Sequence, residues 1–343
     1  MLKPLKQSVG IDVAKSELVV SLGRMNQDTS IELIACKTFV NNKTGFEKLV
    51  HWTKKILSDE ATILYVMEAT GIYHESLAYY LSDQGHQVSI VLPNKICNYA
   101  RTLDIKTVTD KSASQAIARF GLERRLEVWQ RPQKVFRELK QLTRERDQLI
   151  AERTMLKNQL HAEQSEAFPN ERSIDRLIER ITLLNRQEKD IRKELVVVIR
   201  NNVKLADQIK AITSIPGIGP LTAVIVLAET NGFELIRSKK QLVSYAGLDV
   251  REKLSGTSVK GKPRISKKGN RHLRKALHLP SLAAIRSNDR FKAIFARLIA
   301  RHGIKMKATV AIQRKLLELT YIIWKTNKLY DSTYFQNETQ TAL

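Results

Sequence analysis

The order in which strand-like and helix-like segments follow one another in the first 125 residues restricts the folds open to this chain more than any other feature. Residues 8–22 (SVGIDVAKSELVVSL) read as a strand, a tight polar turn at Lys15-Ser16 and a second strand. Ile31, Ile34, Thr38, Phe39 and Val40 supply a third, which Asn41-Asn42 closes. Thr44 can cap a helix with apolar positions at Phe46, Leu49, Val50, Trp52 and Ile56. The run Thr62 to Met67 is apolar almost throughout, as a strand buried on both faces should be. A helix from Tyr73 to Leu81, a strand from Gln87 to Leu92, and helices after Pro93 and after Thr109 complete the series. Three strands, helix, strand, helix, strand, helices is the order of an α/β RNase H-like fold, a mixed sheet with helices on its faces.

Residues 133–210 change character and become charged and nearly free of Gly and Pro. Val135, Leu139, Leu142, Leu149, Leu156 and Leu160 follow a 3–4 alternation, with Arg146 and Arg153 falling on the seam. After Phe168-Pro169-Asn170, Ser173 can cap a second helix striped by Ile174, Leu177, Ile181, Leu184, Ile191, Leu195 and Val198. Two long helices and a short turn make either an antiparallel hairpin or an intermolecular coiled coil. Three domains are therefore expected: 1–130, coiled-coil helices at 131–210, and a mainly α-helical basic domain at 211–343.

Charge separates the last of these from the rest. From Arg237 to Lys315 there are 22 Lys/Arg against Asp249, Glu252 and Asp289, which is +19 of a total net charge of +23. Such concentration points to a nucleic-acid grip in one part of the chain and another task in the near-neutral remainder. Two cysteines, Cys36 and Cys97, allow neither a disulfide framework nor a cysteine zinc site. Without an apolar leader or a run of about 18 apolar residues, a cytoplasmic, nucleoid-associated protein with no membrane partner is expected.

Three constellations can carry chemistry. Asp12 interrupts the apolar strand Val9 to Val13, and Glu68 ends the buried run at Met67. Carboxylates in apolar strands are costly unless a cation or donor compensates them. A capping or ion-paired acid would explain either alone, but the first and fourth strands of an RNase H-like sheet are neighbours and bring the two together. Asp110, before a later helix, adds a third. Oxygen-only ligands of this kind suit Mg²⁺ or Mn²⁺, and such ions assist phosphodiester cleavage.

The second constellation is Ile215-Pro216-Gly217-Ile218-Gly219-Pro220. Gly217 and Gly219 in a turn opening a helix resemble a helix-hairpin-helix grip on a DNA backbone. The third runs from Tyr245-Ala246-Gly247-Leu248-Asp249 through a Gly- and Ser-rich stretch bearing Lys260, Lys262, Arg264, Lys267 and Lys268, into Arg271 and Arg274. Either it is a phosphate-contacting arm, or one of Ser255, Ser258 and Ser266 is a nucleophile whose reaction the cations assist.

Together GIDVAK (Gly10 to Lys15), MEATGIYH (Met67 to His74), TDKS from Thr109, IPGIGPLTA, YAGLD and SGTSVKGKPRISKKGNRHLR resemble the insertion-sequence-110 family of transposases, related to Piv-type invertases. The resemblance extends over nearly the whole chain. It implies a RuvC-like metal domain with four acids, a C-terminal domain with a catalytic serine, and DNA recombination using both. Asp12, Glu68 and Asp110 match the first three acids and Ser255 the serine. It further implies double-stranded target and donor DNA, a structured guide RNA that selects them by base pairing, and a homo-oligomer, a dimer or a tetramer on DNA. The fourth acid falls three residues after the third, and here that residue is Ala113. Impaired cleavage is the expectation. A metal-dependent, junction-resolving endonuclease without a covalent intermediate and a catalytically inactive DNA- and RNA-binding protein are the alternatives.

Overall fold

Ser8, Gly10 and Asp12 alternate with Val9, Ile11 and Val13, so one face of a strand built from them is small and polar and the other apolar. That asymmetry organises the first of the two compact units, Met1–Arg131 and Pro132–Leu343, into which the chain divides. A computed structural model describes residues 4–57, 61–69, 71–103, 107, 109–234, 236–252, 254–255, 259–261 and 263–331.

The first unit runs β1 (Lys6–Val13), β2 (Glu17–Met25), β3 (Ile31–Val40), α1 (Lys43–Ile56), β4 (Ile63–Glu68), α2 (Glu75–Asp83), β5 (Gln87–Val91), α3 (Pro93–Ala100) and α4 (Asp110–Glu123). The sheet order is β3-β2-β1-β4-β5, with β1 antiparallel to β2 and parallel to β4. This is the mixed RNase H-like sheet that the element order predicts. Val9, Ile11, Tyr65 and Met67 pack with Phe46 and Leu49 of α1 and Leu77 and Leu81 of α2. Val66 and Val91 pack on the other side with Ile96, Tyr99, Ile117 and Phe120 of α3 and α4. Thr44 does not cap α1: the Asn42 side chain accepts the Gly45 amide, starting the helix two residues earlier.

In the second unit α5 (Lys134–Gln164) and α6 (Glu171–Arg200) are followed by α7 (Val203–Thr213), α8 (Pro220–Thr230) and α9 (Lys239–Tyr245). Four two-residue strands come next, β6 (Val250–Arg251), β7 (Leu254–Ser255), β8 (Val259–Lys260) and β9 (Arg264–Ile265), then α10 (Arg271–Ser287), α11 (Asp289–His302) and α12 (Lys305–Thr326). The long helices form an antiparallel hairpin within one chain, because Leu156 clusters with Leu177, Ile181 and Leu184 near the turn. At the other end Phe136 and Leu139 join Ile191, Leu195 and the C-terminal helices in one core. Asn170 rather than Ser173 caps α6, accepting the Ser173 amide. The two seam arginines are not defects. Arg146 and Arg153 both bond Glu188 of α6, at 2.8 and 2.6 Å. No helix among the described residues is long and apolar enough to cross a membrane.

Candidate active site

Strand register sets two of the acids side by side. Gly10 pairs with Val66 and Ile11 with Met67 in the parallel β1–β4 ladder, so Asp12 and Glu68 follow at equivalent positions on neighbouring strands. By alternation both share the face of Gly10 and Val66, the face that α4 covers. α4 crosses β1 closely. A β-carbon on Gly10 would stand 2.2 Å from the Ala118 amide nitrogen and 2.3 Å from the Ser114 carbonyl oxygen, and one on Gly121 would stand 2.3 Å from Ser8 Oγ. Residue 121 lies over Ser8 and residues 114 and 118 over Gly10, so the start of α4 falls beside Asp12.

Asp110 is the first residue of α4, where the helix dipole favours a carboxylate. Thr109 and Ser112 cap each other's amides in a reciprocal box. Asp12 is half-buried, and its pKa is raised by burial first and then by the charges of Asp110 and Glu68. Three predicted acids therefore converge at one end of the sheet. Among the described residues no group of three or more His, Cys, Asp or Glu side chains is arranged to hold a metal ion. The acids fit a hard divalent cation by donor chemistry and by the mutual repulsion such an ion would relieve. Ala113 follows Asp110 by three residues on the same helix face, and it is partly exposed. Ser114 offers no replacement ligand, since its buried hydroxyl bonds Ser21 Oγ at 2.8 Å and the Lys111 carbonyl. His74 is packed rather than poised, with burial lowering its pKa.

The described residues of the basic segment in the second unit include four short strands. Val250 pairs with Ile265 and Arg251 with Arg264; further out, Leu254 pairs with Lys260 and Ser255 with Val259. The stretch is thus a two-tier β-hairpin with Ser255 in its outer tier. Side chains of Ser255 and Lys260 lie outside what is described, as do residues Ser258 and Lys262 entirely. Ser266, the remaining serine, braces the hairpin base by donating to Asp249 Oδ1 at 2.6 Å. Arg264, Lys267, Lys268 and Arg271 are exposed. Arg274 instead turns Nη1 inward to the carbonyls of Ala246 and Gly269.

The turn between α7 and α8 divides its two glycines. Gly217, at φ +84°, packs against α10, where a β-carbon would meet the Pro280 carbonyl at 2.4 Å; Gly219 is exposed and faces open space. Glu229 escaped the sequence reading, although a lone acid ending the apolar run Ala223 to Ala228 was a usable signal. It is 2% exposed and accepts from Arg144 Nε at 2.8 Å, Arg144 Nη2 at 3.1 Å and Asn270 Nδ2 at 2.6 Å.

Known proteins resemble the chain along most of its length. Residues 9–169 match a DEDD-type IS110 model described as a transposase, and residues 209–296 match the model "Transposase IS116/IS110/IS902 family". The chain is similar to the pilin gene-inverting protein of Moraxella bovis, 31% identical over 333 residues covering 95% of this chain and 98% of that protein. The transposase for insertion sequence element IS1111A of Coxiella burnetii is 31% identical over 156 residues, 43% of this chain and 41% of that protein. Among solved structures, T. thermophilus RuvC in complex with Holliday junction substrate aligns over 36% of this chain and 99% of its own, at 9% identity and a TM-score of 0.27.

Proposed function

The chain belongs to the IS110-type transposase family and is also a relative of the pilin gene-inverting proteins, and from that premise we propose that it cuts and rejoins DNA through Ser255 together with Asp12, Glu68 and Asp110. The convergence of these acids beneath the start of α4 supports the reading most, because stability alone gives no reason to oppose three carboxylates. They are the residues that would hold Mg²⁺ or Mn²⁺, which when bound would polarise the phosphodiester and neutralise its charge.

The second unit supplies the nucleophile. The Ser255 hydroxyl loses its proton as its oxygen bonds phosphorus, the P–O bond to the sugar breaks, and the departing sugar oxygen takes up a proton. A DNA hydroxyl attacking the phosphoserine reverses these steps and rejoins a strand, with no external energy source. Arg264, Lys267, Lys268 and Arg271 offset phosphate charge beside the hairpin. Gly219 offers a backbone contact at the start of α8, and Lys260 and Lys262 extend the cationic series.

Ala113 limits this chemistry in the chain as it stands, because the acidic set is one carboxylate short. Ala113→Asp is expected to raise Mg²⁺-dependent cleavage of duplex DNA above that of the parent. Equal cleavage by the two proteins counts against the account. Guidance by a structured RNA belongs to the same proposal, as the resemblance to the insertion-sequence-110 family implies. Sequencing nucleic acid that co-purifies with the chain tests it: one discrete structured RNA is expected, and a random mixture contradicts it.

A further inference from the structure

Glu229 is a buried charge for which the proposed chemistry has no use. Removing a carboxylate from water costs several kcal/mol, and a well-packed apolar pair of the same size often serves stability as well. Here the burial is nearly complete and the ligation is rich, so that three elements meet on one side chain. Arg144 approaches from α5 with two nitrogens, and Asn270 approaches from the start of α10. Burial would raise the carboxyl pKa, but the bonds from Arg144 and Asn270 outweigh it and the pKa is lowered, so the pair is ionic.

What these bonds hold is the base of the Ser255 hairpin. Tyr245, where the chain enters it, donates its hydroxyl to the Glu229 carbonyl at 2.9 Å. Asn270, where the chain leaves it, donates its amide to the Tyr245 carbonyl at 2.8 Å and caps α10 by accepting from His272 and Leu273. Between these ends the Ser266 amide bonds Asp249 and the Lys267 amide bonds Gly247. One turn further along α5, Asp147 pairs with Lys275 at 3.1 Å and faces His272 at 3.5 Å. α5 therefore meets the start of α10 at two successive levels, indirectly through Glu229 and directly through Asp147.

We propose that Glu229 is a positioning residue: its carboxylate joins Arg144 of α5 to Asn270 and its carbonyl accepts from Tyr245, so that it clasps both ends of the base of the Ser255 hairpin to the long helical hairpin. The proposal rests on the serine reading above. Arg144 is 44% exposed while Glu229 is enclosed, so the clasp can be opened from its solvent side without emptying the core.

Glu229→Gln and Arg144→Gln, singly and together in full-length Ala113→Asp protein, test this. Glu229→Gln keeps an oxygen for Asn270 and loses only the ionic link. DNA affinity is expected to stay within about twofold in all three. The rate of covalent protein–DNA adduct formation should fall by up to about 100-fold, the scale of a 1 Å misplacement. The double variant should lose no more than either single one, because both break the same link. Amide hydrogen exchange at Ser266, Lys267 and Asn270 should rise in each. Loss of rate in proportion to loss of DNA affinity, additive losses, or unchanged exchange at those three amides would overturn the clasp. If Ala113→Asp protein forms no adduct, the serine reading fails, and the exchange result alone then decides for or against the clasp.

Discussion

A single methyl group at position 10 would overlap the backbone of α4, 2.2 Å from the Ala118 nitrogen. Neither partner is a flexible side-chain end, so the helix must move. Gly10→Ala is expected to destabilise the chain by about 1–3 kcal/mol and to draw Asp110 away from Asp12. A urea midpoint unchanged from the parent would show that α4 does not approach as described. The same reasoning separates the glycines of the α7–α8 turn. Gly217→Ala meets both a positive φ and the Pro280 carbonyl and should lower stability by about 1–3 kcal/mol. Gly219→Ala enters open space and should lose no more than about 1 kcal/mol, as a weaker helix cap. In the sequence the glycines look alike, because what distinguishes them is α10, some sixty residues away. Asp12 and Glu68 stand out in the sequence because a carboxylate in an apolar strand is anomalous without any structure, whereas Asp110, at the start of a helix, carries no such mark of its own. Glu229 ends an apolar run, a signal that marks the acid but not its partners, because Arg144 and Asn270 lie 85 and 41 residues away.

Arg146 and Arg153 break the apolar stripe of α5, and that break is visible in the sequence; their shared partner is not, since it depends on how the turn at 165–170 sets the register. Glu188 gathers both arginines together with Arg192 at 2.7 Å. Burial opposes its ionisation, yet hydrogen bonds from Arg192 and Arg153 and the charge of Arg146 hold its pKa down at about 2, from an ordinary 4.5. A carboxyl depressed in the folded state contributes stability in full above pH 4.5 and loses it as pH falls through about 2. Thermal midpoints should accordingly decline from about pH 5 towards 2, and Glu188→Gln should be less stable at pH 7 with a flatter decline. A parallel decline in both proteins would remove Glu188 as the cause. The helix caps at Asn42 and Asn170 lie two and three residues before Thr44 and Ser173, which are also of cap-forming type. Only the extended backbone at the asparagines decides between them.

At the scale of the molecule, the charge asymmetry and the element order carried most of the information. A sheet whose first and fourth strands are neighbours follows from that order, and with it the meeting of Asp12 and Glu68. The hairpin bearing Ser255 is not legible in the sequence: its strands are two residues each, too short to show the β-branched alternation that marks longer strands. Recombination joins two duplexes, so at least two copies of the chain should assemble on nucleic acid; a monomer in light scattering, both free and with DNA, would contradict that. Cutting of DNA by Ser255 with the aid of the acids of the first unit predicts a covalent protein–DNA intermediate. Trapping the reaction of Ala113→Asp protein with duplex DNA in Mg²⁺ and mapping the attachment site by mass spectrometry tests it directly. A DNA-linked peptide containing Ser255, lost on Ser255→Ala, is the expected result; cleaved DNA ends with no protein attached would contradict the account.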